Sequence, residues 1–448
     1  MRDKSCRIII SIVIGIVIAF YCVYYMLCPR SGFLEEFYKQ SENTVDVLFL
    51  GSSNAYSNIN PAILWEEHGI SSFMLCGNGQ PIWNSYYYLE EAYKTQTPKL
   101  VVLEMFTVAA YPGGYDELGN VPCNTLSLKM SKTKINAMKN SVTKADYLSL
   151  CLGLPIFHNR WTEIFKSELK PWEYDRKNEA ITKGFFPVHF FESHEMIEYD
   201  YVNRTALNEK HIEYLDKIVE LTREHNSELL LIKTPYFLDA SYDAVYNSVS
   251  DYALKNGINF INMNTCIEEI GFSFKSDFAD TVHLNNIGVE KVSLYLGNII
   301  SDDYNIEDHR GQSTYSSWDD FSKLYDKTRF MCPDYSDENV LLQLSDSVKW
   351  DVISDTLSII SIPVELQSGK YYKISIKSDE SYRQEMVIDI YGEGYDLPQY
   401  KRRIWADNDE FVVIQAPDVI DEQIYIRIYA EDASYDISEI ILSEVQRP

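Results

Sequence analysis

The chain has few cysteines, and their spacing indicates neither a zinc site nor a disulfide framework. Of its eight cysteines, three lie in or beside an apolar run near the N-terminus. The other five are an odd number without a Cys-x-x-Cys pair: Cys76, Cys123, Cys151, Cys266 and Cys332. We therefore expect buried free thiols rather than a metal-bound or disulfide-stapled fold.

Basic residues are also scarce. The chain has 40 Lys and Arg against 67 Asp and Glu, for a formal net charge of −27. The first 30 residues are net basic, so the rest is more acidic still. Such a surface repels nucleic acid and anionic lipid, so we expect no nucleic-acid partner and a neutral or cationic substrate. Internal repeats and low-complexity tracts are absent from the sequence, which excludes repeat folds.

Only one long apolar run is present, near the N-terminus. Ile8 to Cys28 holds 21 residues without a charge. As a helix it spans roughly 31 Å, close to the ~30 Å hydrocarbon core of a bilayer. It does not end in a small-x-small cleavage site, and basic residues precede it at positions 2, 4 and 7. The sequence predicts a cytoplasmic stub and single transmembrane anchor over residues 1–30, a linker over 31–44, and the remainder outside the cell.

Short apolar runs alternate with helix-like segments from Val45 to Ile300. The predicted strands are Val45–Leu50, Ser72–Leu75, Leu100–Met105, Glu228–Lys233 and Asn259–Asn262. The predicted helices are Pro61–His68, Ile82–Lys94, Asn208–His225 and Asn286–Ile300. Apolar strands separated by helices form parallel sheets covered on both faces. The sequence thus predicts an α/β domain over residues 45–305.

Three regions depart from this alternation. Residues 107–203 are too many for an ordinary connection between strands, so we expect an inserted lid or substrate-binding region there. Residues 306–335 are polar and acidic, and we expect a linker. Residues 336–448 hold period-two apolar runs such as Leu357–Ile362 and Ile424–Ile428, which predict a C-terminal β-sandwich. Carbohydrate-binding jelly rolls share this pattern, although it is general among β-sandwiches.

Two short segments carry groups suited to nucleophilic chemistry. Gly51-Ser52-Ser53 follows the first predicted strand, and Asp280-Thr281-Val282-His283 precedes the last predicted helix. A serine hydroxyl needs a base within hydrogen-bond reach and donors aimed at the developing oxyanion. Each segment also has an explanation without function. The first can be a plain turn, and in the second the Asp can cap the helix while the His lies at the surface. Together, in this order on an α/β pattern, they predict an activated serine at the carboxyl edge of the sheet.

These segments resemble the SGNH/GDSL hydrolase superfamily over roughly residues 45–300. The likeness is closest to its membrane-anchored bacterial cell-envelope branch, with the teichoic-acid D-alanylation and polysaccharide O-acetyl transfer or esterase proteins. The resemblance implies a flavodoxin-like parallel sheet and no cofactor. It implies Ser53 as nucleophile, His283 as base and Asp280 as the group that orients the base. It also implies an oxyanion hole made by the backbone N–H groups of Ser53 and Gly79. Ser52 takes the place of the family's Asp, as in the D-alanylation proteins.

One family motif, Gly-x-Asn-Asp after the third strand, is missing. The chain has Leu103-Glu104-Met105-Phe106 there. Asn78 and Asn84 are the candidates for the oxyanion-hole Asn that this motif would supply. Glu104 is either a carboxylate facing the site or a structural acid, and Tyr236 after the fourth strand is a candidate pocket residue.

Two further alternatives concern the nucleophile and a metal. Ser52 competes with Ser53, although the family register favours Ser53. His189 and His194 with Glu195 suggest a metal site, yet the second His of a His-Glu-x-x-His helix is absent. We therefore favour aromatic packing for these histidines and expect no metal.

The sequence favours a membrane-anchored extracytoplasmic serine esterase or O-acyltransferase. Its expected substrate is an acylated cell-envelope or exported polysaccharide, with a membrane-bound acyl-donor protein as a further partner in the transferase case. The rival from another class is a non-catalytic polysaccharide-binding or assembly factor on a degenerate SGNH scaffold. The missing Gly-x-Asn-Asp favours the rival, and the intact Ser53, Asp280 and His283 favour the enzyme.

Overall fold

The computed structural model describes most of the chain, and its contacts divide the chain into two units. The described residues are 2–27, 32–113, 120–152, 182–188, 192, 194–328, 339–345, 351–354, 357–367, 370–378, 384–392, 400–406, 411–416, 423–430 and 437–445. The first unit comprises Met1–Phe186, Ile197–Phe272 and Glu290–Lys323. The second comprises Pro187–Met196, Ser273–Val289 and Leu324–Pro448.

A five-stranded parallel sheet forms the centre of the first unit. Its strands are β1 (Val47–Leu50), β2 (Ser72–Met74), β3 (Leu100–Glu104), β4 (Glu228–Lys233) and β5 (Asn259–Asn262). The order β2-β1-β3-β4-β5, with every pair parallel, is the order of flavodoxin-like folds. Every residue of β1 and β3 is buried, so both faces of the sheet are covered. The predicted parallel α/β sheet is confirmed, and each strand ends within two residues of its predicted bounds.

The predicted helices between these strands are present. In chain order, the described helices are α1 (Arg2–Leu27), α2 (Gly32–Phe37), α3 (Ser53–Tyr56), α4 (Pro61–His68), α5 (Ile82–Ala92), α6 (Phe106–Ala110), α7 (Val121–Leu126), α8 (Lys132–Ser141), α9 (Lys144–Leu152), α10 (Glu209–Glu224), α11 (Ala240–Asn256), α12 (Ile267–Ile270), α13 (Asn286–Asp303) and α14 (Ser316–Thr328). Helix α4 shows how sequence sets the bounds. Asn60 Oδ1 accepts from Ala62 N at its start, and Gly69 ends it with φ +68°.

Helix α1 coincides with the apolar N-terminal run. In the part of the chain whose side chains are described, no helix is both long and apolar enough to cross a membrane. The transmembrane helix predicted over Ile8–Cys28 is therefore not confirmed.

The predicted insertion, residues 107–203, contains helices α7 to α9 in its described part. Val121, Leu126, Met138 and Leu150 form a small apolar cluster that joins these three helices. Residues 114–119, 153–181, 189–191 and 193 lie outside the described residues. The insertion thus contributes a packed helical layer beside α5, with which α8 is in contact.

Helix α14 occupies much of the segment predicted as a linker. Trp318 and Phe321 are buried one helical turn apart, and Trp318 Nε1 donates to Ser72 O at 3.0 Å. Two apolar residues among acidic neighbours are a weak periodic signal, which explains why the sequence pattern did not indicate this helix.

Two antiparallel sheets lie in the second unit. Their strands are β6 (Asn339–Ser345), β7 (Asp351–Ser354), β8 (Leu357–Val364), β9 (Tyr371–Ser378), β10 (Gln384–Gly392), β11 (Tyr400–Ala406), β12 (Phe411–Gln415), β13 (Ile424–Ala430) and β14 (Ile437–Val445). One sheet has the order β11-β10-β13-β8-β7 and the other β12-β9-β14-β6. Alternate residues of both sheets share one apolar cluster, for example Ile362, Ile374, Ile426 and Ile440. The C-terminal region therefore contains two antiparallel sheets that share an apolar core, which is the arrangement expected of the predicted β-sandwich.

Candidate active site

The serine turn follows β1 at the carboxyl edge of the sheet. Gly51 has φ +147°, and a Cβ at Gly51 would lie 2.9 Å from Glu104 Cβ, so a side chain does not fit there. The chain then enters α3, with Ser52 as the N-cap and Ser53 as the first helical residue. The turn is therefore fixed both by the close approach of β3 and by a helix start.

The two adjacent serines have different surroundings. Ser52 is 1% exposed, and its Oγ accepts a long hydrogen bond from Asn54 N at 3.4 Å. Ser53 is only partly buried. A nucleophile must be reached by substrate, so the geometry favours Ser53 over Ser52.

A tyrosine that the sequence analysis missed lies beside Ser53. A side-chain hydrogen bond joins Ser53 and Tyr56, three residues later on α3. Burial raises the pKa of Tyr56 to about 12, and the hydrogen bond with Ser53 acts in the opposite direction. Tyr56 is therefore a neutral phenol near neutral pH. The i, i+3 spacing on a helix was the available signal.

A buried ion pair lies where β3 and β4 end. Lys233 Nζ donates to Glu104 Oε1 at 2.9 Å and to Asn54 Oδ1 at 3.0 Å. Lys233 and Glu104 are both essentially unexposed. Burial lowers the pKa of Lys233, while Glu104 acts to raise it. Glu104 is thus held in a buried ion pair, as expected of a structural acid, and its partner Lys233 links β3 and β4 to α3 beside Ser53.

The glycine loop after β2 lies next to the serine turn. Gly77 N donates to Gly51 O at 3.2 Å, and Gly79 has φ +53°. Asn78 is exposed, and its Nδ2 donates to Asn120 Oδ1 at 3.3 Å. Gly79 is thus in a loop that is hydrogen-bonded to the serine turn.

Two other predicted residues have packing contacts. Asn84 is buried in α5, where its Oδ1 accepts from Ser141 Oγ of α8 at 2.7 Å. Tyr236 is buried, and its hydroxyl donates to Asp243 Oδ1 at 2.6 Å. Burial raises the pKa of Tyr236. Both side chains are thus buried and hydrogen-bonded to neighbouring helices.

Asp280 and His283 form a pair in the second unit. His283 Nδ1 lies 2.7 Å from Asp280 Oδ2, and Asp280 Oδ1 accepts from the N–H groups of Val282 and His283, both at 2.8 Å. Although burial acts to raise it, these hydrogen bonds hold the pKa of Asp280 below its ordinary value. Asn285 Oδ1, not Asp280, accepts from the first N–H groups of α13. The helix-capping explanation of Asp280 is therefore wrong.

The histidine and glutamate considered as metal ligands have other contacts. His194 is buried against Phe278, with ring centroids 5.3 Å apart, and Glu195 pairs with Lys275 at 3.2 Å. His189 lies outside the described residues. Among the described residues, no three His, Cys, Asp or Glu side chains are grouped as metal ligands.

Comparison with known proteins gives only weak likenesses. No protein-family model matches the chain, and no curated protein matches it in sequence. A Bacteroides fragilis crystal structure, provisionally described as an acylhydrolase, matches with TM-score 0.30 and 12% identity over 61% of this chain and 95% of its own. A CBM4 structure (14% identity, TM-score 0.14) covers 25% of this chain and 79% of its own. A family 16 carbohydrate-binding module (10% identity, TM-score 0.14) covers 26% and 88%. Likenesses this weak carry no argument about activity.

Proposed function

We propose that this chain is a serine esterase or O-acyltransferase that acts through an acyl–serine intermediate. The observation that carries the proposal is the Asp280–His283 pair, because a carboxylate 2.7 Å from Nδ1 fixes the histidine tautomer that acts as a base through Nε2. The partly exposed Ser53 in a helix-starting turn supports the assignment of the nucleophile.

The reaction uses these groups in sequence. Ser53 Oγ attacks the ester carbonyl while His283 Nε2 accepts its proton, and Asp280 stabilises the imidazolium. The N–H groups of Ser53 and Gly79 bind the oxyanion of the tetrahedral intermediate. On collapse, His283 returns the proton to the leaving alcohol. Water or a sugar hydroxyl then attacks the acyl–serine by the same route, which gives hydrolysis or transfer.

The proposed substrate is an acylated cell-envelope or exported polysaccharide. The net charge of −27 favours a neutral or cationic polymer over a polyanion. We assign the β-sandwich a carbohydrate-binding role, and in the transferase case a membrane-bound protein supplies the acyl group.

Covalent labelling tests the proposal. The full-length protein is treated with a fluorophosphonate probe, and the labelled peptide is identified by mass spectrometry. We expect modification at Ser53, slowed by about two orders of magnitude or more in His283→Ala because general-base assistance is lost. The matched control is His225→Ala, which changes an exposed histidine. A folded wild-type protein that takes up no probe would favour the rival, a non-catalytic polysaccharide-binding or assembly factor.

We also propose that the chain is a single-pass membrane protein with an extracellular catalytic domain. The charge-free run Ile8–Cys28 supports this, as do α1 side chains such as Ile9 and Ile16, which are 61% and 63% exposed. Protease added to intact cells is expected to digest the chain beyond Arg30, since the N-terminal basic residues favour a cytoplasmic N-terminus. Complete protection, with digestion after lysis, would reject this topology.

A further inference from the structure

We propose that the outer face of α8, with the two residues that precede its cap, docks on an anionic phospholipid surface. We call this surface the basic face, and its members are all exposed: Lys129, Met130, Lys132, Ile135 and Lys139. The inference goes beyond the proposed function, because it depends neither on Ser53 nor on ester chemistry.

The charge of this part of the chain is opposite to that of the whole. Residues 118–145 contain five lysines and no acidic residue, whereas the full chain has a formal net charge of −27. Salt screens charges beyond a Debye length of about 8 Å at physiological ionic strength, so the acidic remainder does not cancel a local basic surface. The repulsion of anionic lipid expected from the whole chain is therefore reversed at the basic face.

The packing of α8 sets which side chains reach the solvent. Its exposed residues Lys132, Ile135 and Lys139 are three and four positions apart, so they share one side of the helix. The helix packs against α5 and α7, and its buried residues lie between the exposed ones in sequence. Lys134 is one of these, and its Nζ donates to Leu126 O. The outward lysines are thus held on a regular, packed helix.

Exposed apolar side chains favour a lipid surface over a soluble polyanion as the occupant. Met130 is 76% exposed and Ile135 is 47% exposed, directly beside the lysines of the basic face. On the next helix, α9, Leu148 is 65% exposed one turn after the exposed Lys144. A polyanion needs only the cations, whereas a membrane interface also takes apolar side chains inserted among the headgroups. The mixed character of the surface is therefore that of a membrane contact.

Contacts also link the basic face to the segment that follows the apolar N-terminal run. Lys129 N donates to the Tyr38 hydroxyl at 3.1 Å, and Lys129 Nζ lies 4.0 Å from the centre of the Tyr38 ring. Tyr38 is ten residues beyond Cys28, where the charge-free run ends. Ten residues, six of them in α2, span at most about 30 Å. When the run spans a bilayer, as proposed above, Lys129 lies within that distance of its end.

Lysine acetylation of the full-length protein in lipid nanodiscs tests the proposal. The nanodiscs contain phosphatidylcholine alone or with one-third phosphatidylglycerol, and mass spectrometry follows the reaction of each lysine with an N-hydroxysuccinimide ester. We expect Lys132, Lys139 and Lys144 to react at least about threefold more slowly in the anionic nanodiscs, because headgroup contact shields their amines. Lys255, exposed on α11, is expected to react equally in both. Because α1 is the same in both samples, the difference reports the lipid charge.

Salt and paired variants identify the groups responsible. The protection is expected to disappear at about 1 M salt, where the Debye length is about 3 Å. Lys132→Gln combined with Lys139→Gln is expected to reduce the protection of Lys144 to less than about twofold. The matched control, Lys255→Gln combined with Lys323→Gln, removes two exposed lysines elsewhere and is expected to retain it.

Two results overturn the proposal. One is equal acetylation of Lys132 and Lys139 in neutral and anionic nanodiscs at low salt. The other is protection of these lysines by soluble polyphosphate but not by anionic nanodiscs, which would assign the basic face to a soluble polyanion. Neither result bears on the serine chemistry, which the probe labelling tests separately.

Discussion

Replacement of Ser53 by alanine is expected to lower kcat for ester hydrolysis by about four orders of magnitude or more. Loss of a serine nucleophile removes the covalent route, and only binding and oxyanion donors remain. The measurement is aryl acetate hydrolysis by the full-length protein, with thermal unfolding recorded to show that the fold is retained.

Ser52→Ala is the matched control for this result. Ser52 is buried and caps α3, so its loss is expected to cost about 1 kcal/mol of stability while most activity remains. If Ser52→Ala abolished turnover and Ser53→Ala did not, the nucleophile would be Ser52. Equal activity in wild type and both variants would end the assignment of a serine enzyme.

The contrast between the two serines shows what sequence predicts about a site. The sequence predicted the turn and the register, because a strand followed by glycine and small polar residues is a local pattern. It did not predict which hydroxyl is accessible. That depends on Ser52 Oγ bonding to Asn54 N and on Glu104 lying against Gly51, which are contacts of the folded chain.

Residues that act through distant partners were the ones missed. Lys233 was predicted only as the end of a strand, because its partner Glu104 is 129 positions away in sequence. The sequence indicated Glu104 as a candidate residue, but it did not distinguish a carboxylate that faces the site from a structural acid.

The strands, too, were predicted where the pattern is local in the sequence and missed where it is not. The five parallel strands were predicted because each is a short apolar run. In the sandwich, β8, β9 and β13 alternate strongly and were predicted. The runs in β10 and β12 were predicted as well, whereas β6, β7, β11 and β14 were not; β7 has only four residues, and β11 contains three consecutive basic residues.

Loss of the buried lysine has the second large expected effect. Lys233→Met is expected to lower the free energy of unfolding by about 3–5 kcal/mol, because it leaves the Glu104 carboxylate buried without a counter-charge. The measurement is denaturant unfolding of the full-length protein. Lys275→Met, which breaks an exposed pair with Glu195 at 3.2 Å, is the matched control and is expected to cost less than about 1 kcal/mol.

A double variant separates the charge from the packing of the lysine chain. Glu104→Gln combined with Lys233→Met removes both charges, so it is expected to recover most of the stability lost in Lys233→Met. Activity is expected to recover less, because Asn54 Oδ1 still lacks its donor and Asn54 directly follows Ser53. Full recovery of both would show that the ion pair contributes to stability alone. A loss below about 1 kcal/mol in Lys233→Met would contradict a desolvated pair at this position, since exposed pairs contribute no more than that.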